Sequence, residues 1–299
     1  MKKDDIFISI IIPIYNAEVF LADLLRSISK QTLDNKYYEF LFIDNNSKDN
    51  SAGIINDYIS NNPDHTLKYY FYDGKQSSYA ARNFGINKAK GNIIAFTDVD
   101  CKLDENWLLK AYNIYLNNFN GYDLIAGKVE IEVEDNNNVW EQYDKKLFLN
   151  QENYVDNYSQ AATANLFTKK EVFNRIGLFN EIISGGDKEW TNRAFENKYK
   201  LTYFKDIIVK HPSRKQFSEI LKKNARVQQG KAKVENNIFC GILKRMISIF
   251  YFPKYIFFIM HLRKKGVPFW GNIKFCIGFF IIRINNLINY TKGCFNNDN

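Results

Sequence analysis

The sequence of 299 residues predicts an α/β fold: a mostly parallel, doubly wound sheet flanked by helices and followed by a C-terminal helical tail. Three observations predict it. Apolar, β-branched runs of strand length alternate with stretches of helical period over the first hundred residues, the pattern of βα units feeding a parallel sheet. Acidic or amide residues stand where those apolar runs end. Beyond Arg214 the pattern changes to basic and strongly apolar stretches.

Residues 6–12 form a continuous apolar run, expected of a strand buried on both faces. With its aspartates and Pro13, this start reads as a first strand rather than a signal peptide. Residues 18–30 place Phe20, Leu21, Leu24, Leu25 and Ile28 at helical spacing. A second strand is expected at 39–43, ending at Asp44, then a helix at 52–61, a strand at 67–72, a helix at 78–89 and a strand at 92–97 that ends at Asp98. A further helix is expected at 105–118. Residues 127–134 alternate apolar and acidic residues, which predicts an exposed strand, whereas 139–157 is polar, aromatic-rich and without a readable period. Strands at 161–168 and 201–209 and helices at 169–176 and 188–197 follow. The 184–187 glycine turn precedes the second of those helices.

The net charge of +8 is unevenly placed: 20 Lys/Arg face 28 Asp/Glu through Glu189, and 21 face 5 beyond it. A basic rear half points to an anionic partner, either substrate phosphate, anionic lipid or nucleic acid, unless it is only a solvated surface. The four cysteines have neither a C-x-x-C pair nor zinc spacing, which fits free thiols in a reducing compartment.

In an open α/β sheet, ligands bind beyond the carboxyl ends of the strands, where Tyr15, Asn16, Asp44 and Asp98 fall. In FTDVDC, Asp98 and Asp100 follow a buried strand. Two carboxylates in such a turn suit Mg²⁺ or Mn²⁺, which take oxygen ligands and leave positions for phosphate. Arg82 opens a helix sixteen residues before Asp98, where a guanidinium can pair with phosphate, order the acidic loop or make a surface ion pair. Asp44 can accept from a nucleobase or ribose, or cap the next helix. Asp187, behind Gly185-Gly186, is a general-base candidate, with a helix cap as the alternative. His211, closing the strand IIVKH, is either a metal ligand or structural.

Together the segments SIIIPIYNAEVFLADLLRSISKQT, FLFIDNNSKDNS, AARNFGINKAKGNIIAFTDVD, NLFTKKEVFNRIGLFNE, SGGDKEW and VKH resemble the family 2 glycosyltransferases of the GT-A fold, in order, from residue 6 to about 213. The resemblance implies a metal-dependent, inverting transfer of a hexosyl type from a nucleotide-diphosphate sugar, most often a UDP-sugar, to a glycan or lipid-linked acceptor. By position, Pro13, Tyr15, Asn16 and Asp44 would line the nucleoside pocket, Arg82 would lie beside the nucleotide and Asp98 would meet ribose or base. Asp100 would hold the Mn²⁺ or Mg²⁺, His211 would assist with metal or phosphate, and Asp187 would be the base. One departure is present: where the family commonly has Gly-Glu-Asp, this chain has Gly185-Gly186-Asp187, with Glu189 as a partial substitute.

The expected organisation is a catalytic domain over 1–214, its nucleotide-binding half 1–100 and its acceptor half 101–214, followed by a tail over 215–299. In the tail, 216–233 reads as a basic amphipathic helix. The apolar segments 245–262 and 273–289 are each interrupted by charge, and Pro253 breaks the first, so neither reads as a clean span. Apolar faces with flanking Lys/Arg suit helices lying on the cytoplasmic face of a membrane, and the alternatives are packing on the catalytic domain or a homodimer interface. No nucleic-acid partner is expected. Of the rival enzymes, a nucleotidyltransferase usually needs a glycine-rich loop where PIYNAEVF stands, and a dinucleotide oxidoreductase needs the G-x-G-x-x-G that is absent there. A non-catalytic membrane scaffold would not need Asp98, Asp100 and Asp187 together.

Overall fold

The computed structural model describes residues 7–235, 237–250, 252–264, 267 and 269–295. Residue 6 and the side chain of Pro253, both named above, lie outside that description, as do residue 265 and the side chain of Lys254 among the basic residues of the tail. The chain divides into two compact units, one of Met1–Glu130, Leu149–Glu181 and Gly186–His211, the other of Ile131–Phe148, Ile182–Gly185 and Pro212–Asn299.

The first unit is built on strands whose apolar content leaves them nowhere to go but the interior. β1 (Ile8–Ile14) pairs in parallel with β2 (Tyr38–Asp44) and with β4 (Ile93–Thr97), and β2 pairs in parallel with β3 (Leu67–Phe71). Ile8, Ile10, Ile11 and Ile12 are fully buried, as a strand covered on both faces requires. The crossovers are α1 (Glu18–Ser29), α2 (Ser51–Asn61) and α3 (Ser78–Lys88). One polar group is built into this core. Buried Glu39 accepts from the Ser9 hydroxyl (2.7 Å), the Lys90 N–H (2.8 Å) and the Lys68 ammonium. Burial works against its charge, but these donors outweigh burial and hold the carboxyl below its ordinary range. The Gly91 N–H donates in turn to Ser9 Oγ, and a Cβ at 91 would lie 2.5 Å from the Phe7 carbonyl oxygen, so only glycine fits this entry to β4.

The remaining strands are β5 (Lys102–Leu103), β6 (Leu124–Glu132), β7 (Asn165–Lys169) and β8 (Leu201–Pro212), giving the order β3-β2-β1-β4-β7-β6-β8-β5. β7 runs antiparallel to both β4 and β6, and β5 antiparallel to β8. The sheet is therefore parallel over its first four strands, and its direction reverses at β7. Over residues 127–132 the alternation marks a half-buried strand rather than an exposed one: Val129 and Ile131 are buried while Lys128, Glu130 and Glu132 are partly exposed, and ahead of them Leu124, Ile125 and Ala126 are fully buried where β6 pairs with β7.

The unreadable 139–157 stretch is two helices, α5 (Val139–Leu147) and α6 (Gln151–Tyr158), after α4 (Trp107–Asn117). Each starts at an asparagine cap: Asn138 Oδ1 accepts from the Trp140 N–H and Asn150 Oδ1 from the Asn153 N–H. After α7 (Lys170–Ile176), Gly185 (φ +87°) turns the chain into α8 (Gly186–Glu196).

In the second unit, α5 joins α9 (Phe217–Val234), α10 (Ile238–Ile249), α11 (Phe252–Lys264) and α12 (Phe269–Phe295). Its core packs Val139, Trp140 and Tyr143 with Ile220, Leu262, Phe275, Phe279 and Ile282. Asp144, fully buried, is neutralised by Arg214 (3.0 Å) and Lys223 (3.2 Å), which ties α5 to α9. α12 is long and apolar enough to cross a membrane by length and composition, which the charge-interrupted sequence does not suggest.

Candidate active site

The carboxyl ends of the parallel strands carry the predicted residues. Pro13 lies in β1, and Tyr15 just beyond it is half exposed (48%). Asn16 takes a left-handed conformation (φ 47°), which an asparagine tolerates, and this fastens it to the turn after β2. Its N–H donates to Ser47 Oγ at 3.0 Å and its Oδ1 accepts from the Lys48 N–H at 2.7 Å. Asp44, buried at the end of β2, accepts from the Ser47 N–H (2.8 Å) and the Tyr69 hydroxyl (2.7 Å). It thus shapes the turn and does not cap α2, whose preceding residue is Asn50. A carboxylate oxygen has two acceptor positions, so Asp44 retains capacity for a nucleoside donor group.

The structure places Asp98 and Asp100 against different partners. Asp98 pairs with Arg82 of α3, which is almost fully buried (4% exposed) and whose guanidinium lies 5.5 Å from the Tyr79 ring centre. Arg82 is no surface ion pair: it orders the acidic turn. The turn itself is closed by the Cys101 N–H on the Asp98 carbonyl (3.1 Å). Asp100 Oδ2 lies 3.3 Å from Nε2 of His211, which is buried near the end of β8. Burial, with Asp100 and Asp98 nearby, pushes the Cys101 thiol up.

Among the described residues no three metal-ligating side chains gather. A carboxylate and an imidazole in contact still fit a hard divalent cation of the kind that is held by one or two protein groups and completed by substrate phosphates and water. The donor set does not fit a closed structural site.

Asp187 lies in the first turn of α8 and is nearly buried (9% exposed). Its Oδ1 accepts from the Tyr79 hydroxyl (3.0 Å) and the Lys188 N–H (2.9 Å), and its Oδ2 accepts from the Thr163 N–H (3.2 Å). The capping alternative is realised only in part, since one of three donors belongs to the helix's own turn. Gln151 braces the loop that carries Thr163, bonding Ala162 at both its N–H and its carbonyl. Glu189, the expected partial substitute for the family's glutamate, is instead paired with Arg193 one turn along α8.

Tyr79, Thr163 and Gln151 were not foreseen. Tyr79 had a signal, because it stands three residues before Arg82 on one helix face. Thr163 acts through its backbone, and nothing in the sequence marks it.

The sequence model of glycosyl transferase family 2 matches residues 9–177. The chain belongs to that family. It is 36% identical over 229 residues to the glycosyltransferase AglE of Haloferax volcanii, covering 76% of this chain and 74% of AglE. It is 30% identical over 118 residues to the minor teichoic acid biosynthesis protein GgaB of Bacillus subtilis, a match that covers 40% of this chain and only 13% of GgaB. Among solved structures, the mannosyltransferase PcManGT of Pyrobaculum calidifontis, in complex with GDP-Man and Mn²⁺, superposes with a TM-score of 0.62 at 14% identity over 96% of this chain and 87% of its own. The fold is thus that of the GT-A glycosyltransferases, and the chain is an enzyme of sugar transfer. The family match contains the turns after β1, β2 and β4 but ends before Asp187 and His211, whose placement is seen only in the fold.

Proposed function

We propose that this glycosyltransferase moves a sugar from a nucleoside diphosphate sugar to a hydroxyl of a surface glycan or lipid-linked acceptor, with inversion at the anomeric carbon and with Asp187 as general base. The observation that carries the reading is the Asp187 carboxylate: buried, oriented by three donors, and joined through Tyr79 to the Arg82–Asp98 turn. Pro13, Tyr15, Asn16 and Asp44 line the nucleoside end, and Asp98, held by Arg82, faces the ribose or base. Asp100 and His211 would hold a Mn²⁺ or Mg²⁺, which when bound offsets the charge that grows on the departing diphosphate.

The chain's own residues supply the rest. Oδ1 of Asp187 has both acceptor positions filled, whereas Oδ2 uses one for Thr163 and has one for the acceptor hydroxyl. As the acceptor oxygen forms its bond to the anomeric carbon, its proton passes to Oδ2, and the bond from carbon to the diphosphate oxygen breaks with its electron pair leaving on the diphosphate. PcManGT, solved with GDP-Man and Mn²⁺, supports a nucleotide-sugar donor and a divalent cation. UDP is the first base to test and GDP the second. Proton NMR of the enzyme with UDP- and GDP-sugars, with and without Mn²⁺, tests the proposal. Cation-stimulated release of the nucleoside diphosphate is expected, and no turnover of any donor would overturn it.

The second unit supports a membrane surface as partner, on the cytoplasmic face where such donors are held. Of the 26 exposed large apolar side chains among the described residues, 17 lie between Ile238 and Phe295. On α12, Trp270, Ile273, Ile277, Phe280, Ile284 and Ile288 form an outward stripe at helical spacing, while Phe275, Phe279 and Ile282 face the core. A helix apolar on both faces needs a second apolar phase, and the surrounding Lys/Arg favour anionic headgroups by about 1 kcal/mol each near the surface. The full chain should sediment with phosphatidylglycerol-containing vesicles, less so in high salt, and Phe239→Glu with Phe250→Glu should release it. A chain that stays in the supernatant with every vesicle, or elutes as a dimer that hides the stripe, would refute the membrane reading.

A further inference from the structure

Gly186 and Tyr79 meet beside the base. A Cβ at position 186 would lie 2.8 Å from the Asn180 carbonyl oxygen, which bars a side chain there, and 3.1 Å from two carbons of the Tyr79 ring, which crowd it further. Tyr79 is nearly buried, and its hydroxyl is the side-chain donor to Asp187 among the described residues. The ring packs against Phe179 at 5.8 Å between centres, and Arg82 stands 5.5 Å from it. These contacts fix the direction in which the hydroxyl points.

The other charged or titratable groups near Asp187 do not duplicate this contact. Lys188, on the same helix, places its ammonium 3.6 Å from the ring centre of Tyr154 on α6. Arg82 is engaged with Asp98. Burial and the adjacent carboxylate push the Tyr79 phenol far up, so it is a donor throughout the working pH range and never competes for the proton that Asp187 takes.

We infer that Tyr79 is a positioning residue for the Asp187 carboxylate, its ring seated beside a glycine at 186 where the Asn180 carbonyl leaves no room for a side chain. The Tyr79–Asp187 hydrogen bond holds Oδ1 and leaves Oδ2 turned to the acceptor hydroxyl, so the inference rests on the reading of Asp187 as base.

The test compares Tyr79→Phe, Gly186→Ala, their double variant and Asp187→Asn in the full chain. Tyr79→Phe removes one hydroxyl and keeps the ring; a hydrogen bond to a charged group predicts that kcat falls about 10- to 100-fold with donor KM and nucleoside diphosphate affinity unchanged. Gly186→Ala displaces the ring or the Asn180 carbonyl and should lower kcat in the same way. The double variant should be no worse than the poorer single, because one hydrogen bond is lost only once. A Tyr79→Phe enzyme with wild-type kcat, or a double variant in which the losses add, overturns the inference. If Asp187→Asn alone is inactive while Tyr79→Phe is not impaired, only the positioning role fails. If Asp187→Asn is active, the base fails with it.

Discussion

Asp187→Asn gives a folded protein that still binds its nucleotide and turns over donor and acceptor slower by about 10²- to 10⁴-fold, the usual contribution of a positioned general base. The substitution nearly preserves shape. Its carbonyl oxygen can still accept from the Tyr79 hydroxyl and the Lys188 N–H, as Oδ1 does now. Its amide would face the Thr163 N–H, donor against donor, where Oδ2 accepts at 3.2 Å. The unpaired Thr163 N–H costs about 1–3 kcal/mol of stability, while the atom that must receive a proton becomes one that cannot. At one factor of ten per 1.36 kcal/mol, the loss corresponds to about 3–5 kcal/mol of barrier. Initial rates at saturating donor, beside the melting temperature, measure it. A rate within a few-fold of wild type would remove Asp187 as the base.

Asp100→Ala is expected to act on the donor instead. It deletes the carboxylate that meets His211 at 3.3 Å and leaves the Arg82–Asp98 pair untouched, so the acidic turn keeps its anchor. Charge stabilisation by a bound cation is worth several kcal/mol, which predicts a fall of about 10²- to 10³-fold in kcat/KM with Mn²⁺ stimulation abolished. Titration of nucleoside diphosphate with and without Mn²⁺ separates the two states: wild type should bind tighter with the cation, and Asp100→Ala equally with or without it. Persisting Mn²⁺ dependence in the variant would move the cation elsewhere. The same experiment on Asp98→Asn should instead show weaker binding under both conditions, because Arg82 then loses the partner that orders the turn.

The nucleotide-binding half was legible because a central parallel strand must be largely apolar on both faces, and β1, β2 and β4 show that requirement as runs interrupted only by Ser9 and Glu39, which pair with each other, before the terminal Asp44 and Thr97. Strand direction leaves no such mark. A buried strand reads alike either way, so β7, antiparallel between β4 and β6, could not be told from a continuation of the parallel set. The 139–157 segment failed for another reason. Its two helices are short, eight or nine residues, and their starts are signalled only by Asn138 and Asn150 in a stretch rich in polar residues.

Within the site, Asp98, Asp100, Asp187 and His211 were visible as residue types at strand or helix ends. Their partners were not. The sequence cannot say that Asp98 turns to Arg82 and Asp100 to His211, since both stand in one six-residue motif. Tyr79 and Asp187 are 108 residues apart, and what brings them together is the packing of α3 against the start of α8, a tertiary fact without a local signal. Gly186 departs from the motif, and the Asn180 carbonyl and Tyr79 ring beside it are contacts that the sequence does not show.

In the proposed reaction one carboxylate serves one displacement at the anomeric carbon. Proton NMR of the first sugar formed, read before the anomers equilibrate, tests this most directly. An α-configured donor should yield a β-configured sugar, attached to the acceptor or released by water. A first product that keeps the donor's configuration would require two displacements, and Asp187 could not be acting as the base of a single one.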